Sequence, residues 1–304
     1  MTAASPTAPQ GPSLRYGLVV LALLTLVWGV NWPAMKLGVA GFPPWHFRAG
    51  GVAFGIVALF TLARLSGAAL RPPPGLWGKL LVASILNVTG WQVFSVASLQ
   101  YIGSGRAAIV AYTMPLMTAL LSVPLLCDRL TARIAAALIL GMAGMACLLP
   151  PELFAARGAQ LLGIGLMLCA ALSWALGTIH LKQARLPMPT TVTAAWLFVF
   201  ALPPMLIGAA FEPMPDLAAM TWPTILGALY ATTIPVCYGY WAWYRLVETM
   251  PATIASIATL ATPVVGVLSG AAILGEAVGW REIAALGFVI ASLVLVLYRK
   301  QQQV

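Results

Sequence analysis

Charge is what this chain has least of. Only 8% of its 304 residues are charged and seven of them are acids, against about a quarter charged in a typical soluble domain. Hydrophobic residues make up 61%, which excludes a soluble globular domain, because too few polar side chains remain to face water. Histidine is down to His46 and His180, far apart in sequence. None of the four cysteines, Cys127, Cys147, Cys169 and Cys237, forms a CxxC or a Cys/His cluster. A disulfide framework or a zinc site is therefore not expected; each cysteine reads as a small apolar filler. There is no GxxxxGK[ST] loop, no HExxH and no GxSxG, so nucleotide hydrolysis, zinc proteolysis and serine-hydrolase chemistry lack their machinery. No metal and no cofactor is expected. The 16 basic residues give a net charge of +9, but they stand singly at the ends of apolar runs. They read as topology signals rather than a phosphate-binding patch, and no nucleic acid is expected as a partner.

What is present is long apolar runs. About 20 apolar residues cross a bilayer, and the runs predict an all-α integral membrane protein of ten spans. These are Tyr16 to Val39, Trp45 to Leu65, Trp77 to Leu99, Ser104 to Leu126, Ala132 to Leu149, Gln160 to Leu181, Thr190 to Phe211, Trp222 to Leu246, Ala252 to Leu274 and Trp280 to Tyr298. Residues Met1 to Ser13 carry no basic residue and no cleavage site follows, so the first run is expected to stay as a span. With the N-terminus inside, eleven basic residues fall on the inner side. Five fall outside: Lys36, Arg48, Arg106, Arg157 and Arg281. That imbalance predicts both termini in the cytoplasm.

The chain also reads as two copies, residues 1–150 and 151–304. Pro115 precedes Asp128 by thirteen residues, as Pro263 precedes Glu276. Trp28 precedes Lys36 by eight, as Trp174 precedes Lys182. Ala136-Ala137-Leu138 matches Ala284-Ala285-Leu286. Five spans per copy is an odd number, so the second copy enters the membrane in the opposite sense. Inverted repeats around a midplane site are the architecture of many alternating-access carriers.

The chemistry open to such a chain lies in polar and aromatic residues within the runs. All seven acids (Asp128, Glu152, Glu212, Asp216, Glu248, Glu276 and Glu282) fall at predicted span ends or in loops. A buried carboxylate for proton or sodium coupling is therefore not supported. Amides in hydrocarbon must find partners, so Asn31, Asn87 and Gln92 are expected to face the interior, either as ties between helices or as a cavity lining. Trp45, Trp77, Trp222, Trp280 and Tyr298 read as interface anchors. Deeper rings (Trp28, Trp91, Tyr112, Trp174, Tyr238 and Trp241) are candidates to line a cavity, with core packing as the alternative for each. His180 completes the candidate set. Lys36, Arg48 and Arg106 are expected to snorkel to the outer interface, the functional alternative being attraction of a substrate carboxylate. Pro33, Pro115, Pro235 and Pro263 fall inside spans and are candidate hinges, since proline removes a helical hydrogen bond.

Leu26-Val-Trp28-Gly29-Val-Asn31-Trp32, Gly275-Glu276, Trp280-Arg281-Glu282 and Gly287, with the degenerate Asp128-Arg129-Leu130-Thr131, resemble the EamA-type members of the drug/metabolite transporter superfamily. The resemblance covers essentially the whole chain. It implies a ten-helix inverted-repeat carrier in a bacterial inner membrane that exports small metabolites, including aromatic amino acids in similar members. It also implies a cavity built mainly by the first, third, fourth, sixth, eighth and ninth spans. Expected partners are the lipid bilayer and a small-molecule substrate; the reading is compatible with a monomer. The alternatives are export of hydrophobic drugs, against which the missing buried carboxylate argues, and a lipid-modifying membrane enzyme, for which Glu248 and Arg245 are the one faint candidate pair.

Overall fold

A computed structural model describes residues 14–102, 107, 110–148, 157–276 and 278–297, and every regular element among them is helical. The first two apolar runs form α1 (Leu14–Gly38) and α2 (Pro44–Leu65). The third holds α3 (Trp77–Ala83), a π turn at Ser84–Thr89 and α4 (Gly90–Leu99). Next come α5 (Met114–Leu126), α6 (Ala132–Cys147), α7 (Ala159–Ala184) and α8 (Thr190–Ala210). A rod of α9 (Trp222–Ile234), a second π turn at Pro235–Gly239 and α10 (Tyr240–Thr249) follows. The last elements are α11 (Ala252–Ala258), α12 (Ala261–Leu274) and α13 (Trp280–Leu297). Among the described residues six segments are long and apolar enough to cross a membrane: Tyr16–Gly38 of α1, α2, Trp77–Leu99, α7, α8 and Ala252–Leu274. Helices α5 and α6 are shorter apolar helices. Ser104, Arg106, Leu149, Glu152, Tyr298, Arg299 and Lys300, which figure in the sequence reading, lie outside the described residues.

The distribution of side chains is that of a protein in lipid. Val57, Ile139, Ile207 and Phe211 are 62–86% exposed, while Ser84, Asn87, Ser98, Ser122 and Ser292 are fully buried. In hydrocarbon a polar group must be satisfied internally, and these are. The Ser84 hydroxyl donates to Leu197 O at 2.6 Å, Ser98 to Gly163 O at 2.7 Å and Ser292 to Ala137 O at 2.6 Å. Each bond ties one helix to another, where burial of apolar area gives little drive for association.

Two rods are broken by turns that follow from proline. Pro115 lies in the first turn of α5, where its missing N–H costs nothing; the turn at 112–113 precedes it. Pro263 stands in the first turn of α12 after the turn at 259–260. Pro235 opens a π turn, in which the ladder loosens by one residue. Both π turns hand a carbonyl to a crossing helix. Ser173 of α7 donates to Leu86 O at 2.6 Å, and the Trp28 indole of α1 donates to Pro235 O at 3.3 Å.

Helix α1 lies against α9 and α12, as α7 lies against α4 and α5. Helix α2 packs on α8, α6 on α13, and α5 on α11. Swapping the rods of the first half for those of the second reproduces this set of neighbours. The α7 crossing over the first π turn is especially close: a Cβ built on Gly177 would stand 2.6 Å from the Asn87 backbone. Backbone cannot retreat as a side-chain end can, so Gly177→Val is expected to destabilise the fold by about 1–3 kcal/mol or more. A lowered thermal-unfolding midpoint in detergent checks this; an unchanged midpoint would mean that the crossing is looser.

Candidate central cavity

Helix α1 carries Trp28, Asn31, Trp32 and Met35 at helical spacings of three and four, which puts them on one face. That face meets Trp91 and Gln92 of α4, Trp174 of α7 and Tyr240 of α10 around a central cavity of about 130 Å3. Tyr112 and Thr259, at the two turns that break their rods, complete the wall with Pro235. The rings interlock edge to face: Trp174 stands 5.8 Å from Trp28, 5.4 Å from Trp91 and 5.8 Å from Tyr240. Geometry of this kind adds to apolar burial. The Trp32 indole donates to the Tyr112 hydroxyl at 3.2 Å.

Trp32, Met35, Arg48 and Tyr112 also line a second, wider cavity of about 560 Å3. It runs from the centre to the end of the bundle marked by Lys36 and Glu276, whose side chains are 61% and 46% exposed. There the Lys36 ammonium meets the Glu276 carboxylate at 2.5 Å. The opposite side is filled by aromatic rings in contact. Tyr240 at the central cavity meets Tyr244 edge to face at 5.9 Å, and Trp174 lies tilted against Trp243 at 5.6 Å. Beyond this aromatic layer lies a third cavity of about 430 Å3, lined by Lys182, Arg185, Thr193, Tyr244 and Glu248. Lys182 donates to Val247 O at 2.7 Å and to Met250 O at 2.8 Å, tying the end of α7 to the end of α10.

The EamA-like transporter family model matches this chain twice, at residues 15–149 and 161–298. The chain belongs to the EamA-like transporter family. It is a multi-pass membrane protein and a transporter of the drug/metabolite superfamily. Among the curated proteins similar to it is the uncharacterized transporter YvbV of Bacillus subtilis, 27% identical over 97% of this chain and 95% of its own. The probable amino-acid metabolite efflux pump of Salmonella typhimurium is 27% identical over 92% and 94%. The uncharacterized inner membrane transporter YedA of Escherichia coli K12 is 28% identical over 91% and 89%. One solved crystal structure superimposes with TM-score 0.78 over 92% of this chain and 97% of its own, at 20% identity, a likeness of fold alone.

Within this EamA-like transporter, six of the candidate site residues come together: Trp28, Asn31, Trp91, Gln92, Tyr112 and Trp174 all line the central cavity. Four do not. Asn87 is fully buried between helices, donating to Trp174 O at 3.4 Å and accepting from the Tyr244 hydroxyl at 3.0 Å. The His180 ring lies 3.0 Å from Lys79 O on the flank of α7. Tyr238 donates to Val20 O at 3.4 Å and stands 5.7 Å from Trp241, and neither lines any of these three cavities. Among the prolines, Pro33 and Pro263 line the wide cavity, Pro235 the central one, and Pro115 is buried.

Sequence reasoning did not single out Trp32, Met35, Tyr240 or Thr259. The signal for the first two is their helical spacing of four residues, Trp32 from Trp28 and Met35 from Asn31. Arg48, expected at the interface, is partly buried and lines both the wide and the central cavity. The acidic loop has a structural role: Glu212 accepts from the Trp45 amide at 2.8 Å and the His46 amide at 3.3 Å, capping the start of α2. Glu248 accepts the Thr190 hydroxyl at 3.1 Å at the start of α8 and pairs with Arg245 at 3.3 Å. Those bonds place the pair in the last turns of α10, beside the start of α8.

Proposed function

We propose that this chain is a secondary carrier that exports amino acids, aromatic or large apolar ones, from the cytoplasm by alternating access. It would span a bacterial inner membrane ten times as two five-helix inverted repeats, with both termini cytoplasmic. The observation that carries the reading is the aromatic central cavity, joined to a mouth at one end and shut off by stacked rings at the other. Such a cavity suits a planar or apolar side chain. The probable amino-acid metabolite efflux pumps among its relatives point to the same cargo class.

Support for the repeat comes from features that recur in each half. Helix neighbours exchange between halves. Each half has a π turn, at Ser84–Thr89 and Pro235–Gly239. Each has a left-handed cap before its acid, at Cys127 with φ 56° and Gly275 with φ 67°. Pro43 and Pro189 cap α2 and α8 with ψ of 138° and 139°. Odd-numbered copies related in this way invert, and inversion lets one half take the gate shape of the other.

Uptake of labelled phenylalanine or tryptophan into liposomes holding the purified protein tests the reading. Saturable uptake without a pH gradient is the expected result, since among the described residues no acid lines the central cavity to carry a coupling proton. Absence of uptake for every amino acid would overturn the cargo assignment.

A further inference from the structure

Arg48 is placed where a cation is expensive. It stands in the first turns of α2, on the wall shared by the wide and central cavities. Among the described residues no carboxylate comes within 4.0 Å of its guanidinium, and it makes no hydrogen bond to the protein. Glu276, the acid of the wide cavity, is already held by Lys36 at 2.5 Å. His46, two residues away, faces Glu212 at 3.4 Å. A partly buried cation without a counter-charge costs several kcal/mol. The corresponding residue of the other half, counted from Pro43 and Pro189, is Ala194. The charge is therefore not a feature that both halves share.

The other half of the observation is a pair of unpaired acceptors. Gln92 is 4% exposed and its Oε1 has no donor; Asn31 Oδ1 is likewise buried without one. Both residues line the central cavity that Arg48 also lines. Buried acceptors left unpaired cost about 1–3 kcal/mol each, so a donor is expected to visit them. The faces of Trp28, Trp91 and Trp174 surround the same space and attract a cation by their quadrupoles.

We propose that Arg48 holds the carboxylate of the cargo while the amide oxygens of Asn31 and Gln92 take its ammonium. The cavity then selects the zwitterionic head of an amino acid and leaves the side chain to the rings. The inference deepens the amino-acid reading and rests on it for the cargo. It differs from that reading in what it excludes: amines, simple carboxylic acids and neutral apolar compounds. A guanidinium offers a fork that matches a carboxylate in two parallel bonds.

The test is ligand binding to the wild-type protein in lipid nanodiscs, read by tryptophan fluorescence, because four tryptophans line the cavity. Phenylalanine is compared with phenylalaninamide, which lacks the carboxylate, and with 3-phenylpropionate, which lacks the ammonium. Each is expected to bind at least about tenfold more weakly than phenylalanine, one charge-assisted contact being lost. Arg48→Gln should abolish the preference for phenylalanine over its amide, while Arg48→Lys keeps part of it. Gln92→Ala with Asn31→Ala should erase the preference over 3-phenylpropionate. Equal affinity for phenylalanine and its amide in the wild type overturns the proposal without need of any variant. So does an undiminished preference in Arg48→Gln, or the failure of every large apolar amino acid to bind. Binding with the expected preferences but no uptake into liposomes would sink the carrier reading and leave this site standing. Uptake of phenylalanine without discrimination against the amide would do the reverse.

Discussion

Trp174→Ala is expected to lower the stability of the fold by about 3–5 kcal/mol and to cut uptake at least about tenfold. Trp174 is 4% exposed and lies in ring contact with Trp28, Trp91, Tyr240 and Trp243 at 5.4–5.8 Å. Its backbone carbonyl also accepts from Asn87 and from Thr178 at 2.9 Å. Truncation removes the wedge between the central cavity and the aromatic layer below it. The hole cannot refill, because its neighbours are rigid rings already packed against one another. Two measurements separate packing from function: the unfolding midpoint in detergent, and uptake per folded molecule. Trp174→Phe should restore most of the first and part of the second. Trp241→Ala is the contrast, since Trp241 packs on Tyr238 and lines none of the three cavities; its uptake should stay within about twofold of wild type. A larger loss for Trp241 than for Trp174 would move the cargo path to the other side of α10.

The contrast shows what a sequence of this kind carries. Rod positions were legible because apolar runs end abruptly at prolines, glycines and charges. The third run, from Trp77 to Leu99, is bounded in the structure by the same two residues. The break at 112–113 was less legible, since a Pro in a run signals a kink without saying whether the helix continues through it or restarts at it. The facing of side chains was least legible. These helices are apolar nearly all round, so no hydrophobic stripe tells which side of a rod faces the cavity. Asn31 and Asn87 look alike in sequence, yet one stands on the cavity wall with its oxygen unpaired while the other is spent between α7 and α10. Arg48 shows the same limit. Near a span end the long side chain reaches the interface from one helix rotation and the interior from another, and only the packing of α2 on α8 and α9 fixes the rotation.

The two repeat lysines should behave unequally. Lys36 and Lys182 occupy matching places, eight residues after Trp28 and Trp174, but their partners differ. Lys36 meets a carboxylate in a pair that is about half exposed, and such pairs contribute about 0–1 kcal/mol. Lys182 is bonded to the Val247 and Met250 carbonyls, where charge-assisted bonds are worth about 1.5–3 kcal/mol each. Asp128, the counterpart of Glu276, instead accepts the Thr253 hydroxyl at 3.3 Å. Lys182 thus clamps the closed end of the bundle, while Lys36 guards an end that already admits the wide cavity. Lys182→Met is therefore expected to loosen the closed end. In a background without the native cysteines, a cysteine placed at Thr259, which is 3% exposed at the central cavity, reports it. An impermeant thiol reagent added from the Lys182 side should label that cysteine at least about tenfold faster in Lys182→Met, one charge-assisted bond being the difference. Lys36→Met should change labelling from that side by no more than about twofold. Equal acceleration by the two substitutions would mean that the aromatic layer of Tyr240 and Tyr244, and not the lysine clamp, sets the barrier at the closed end.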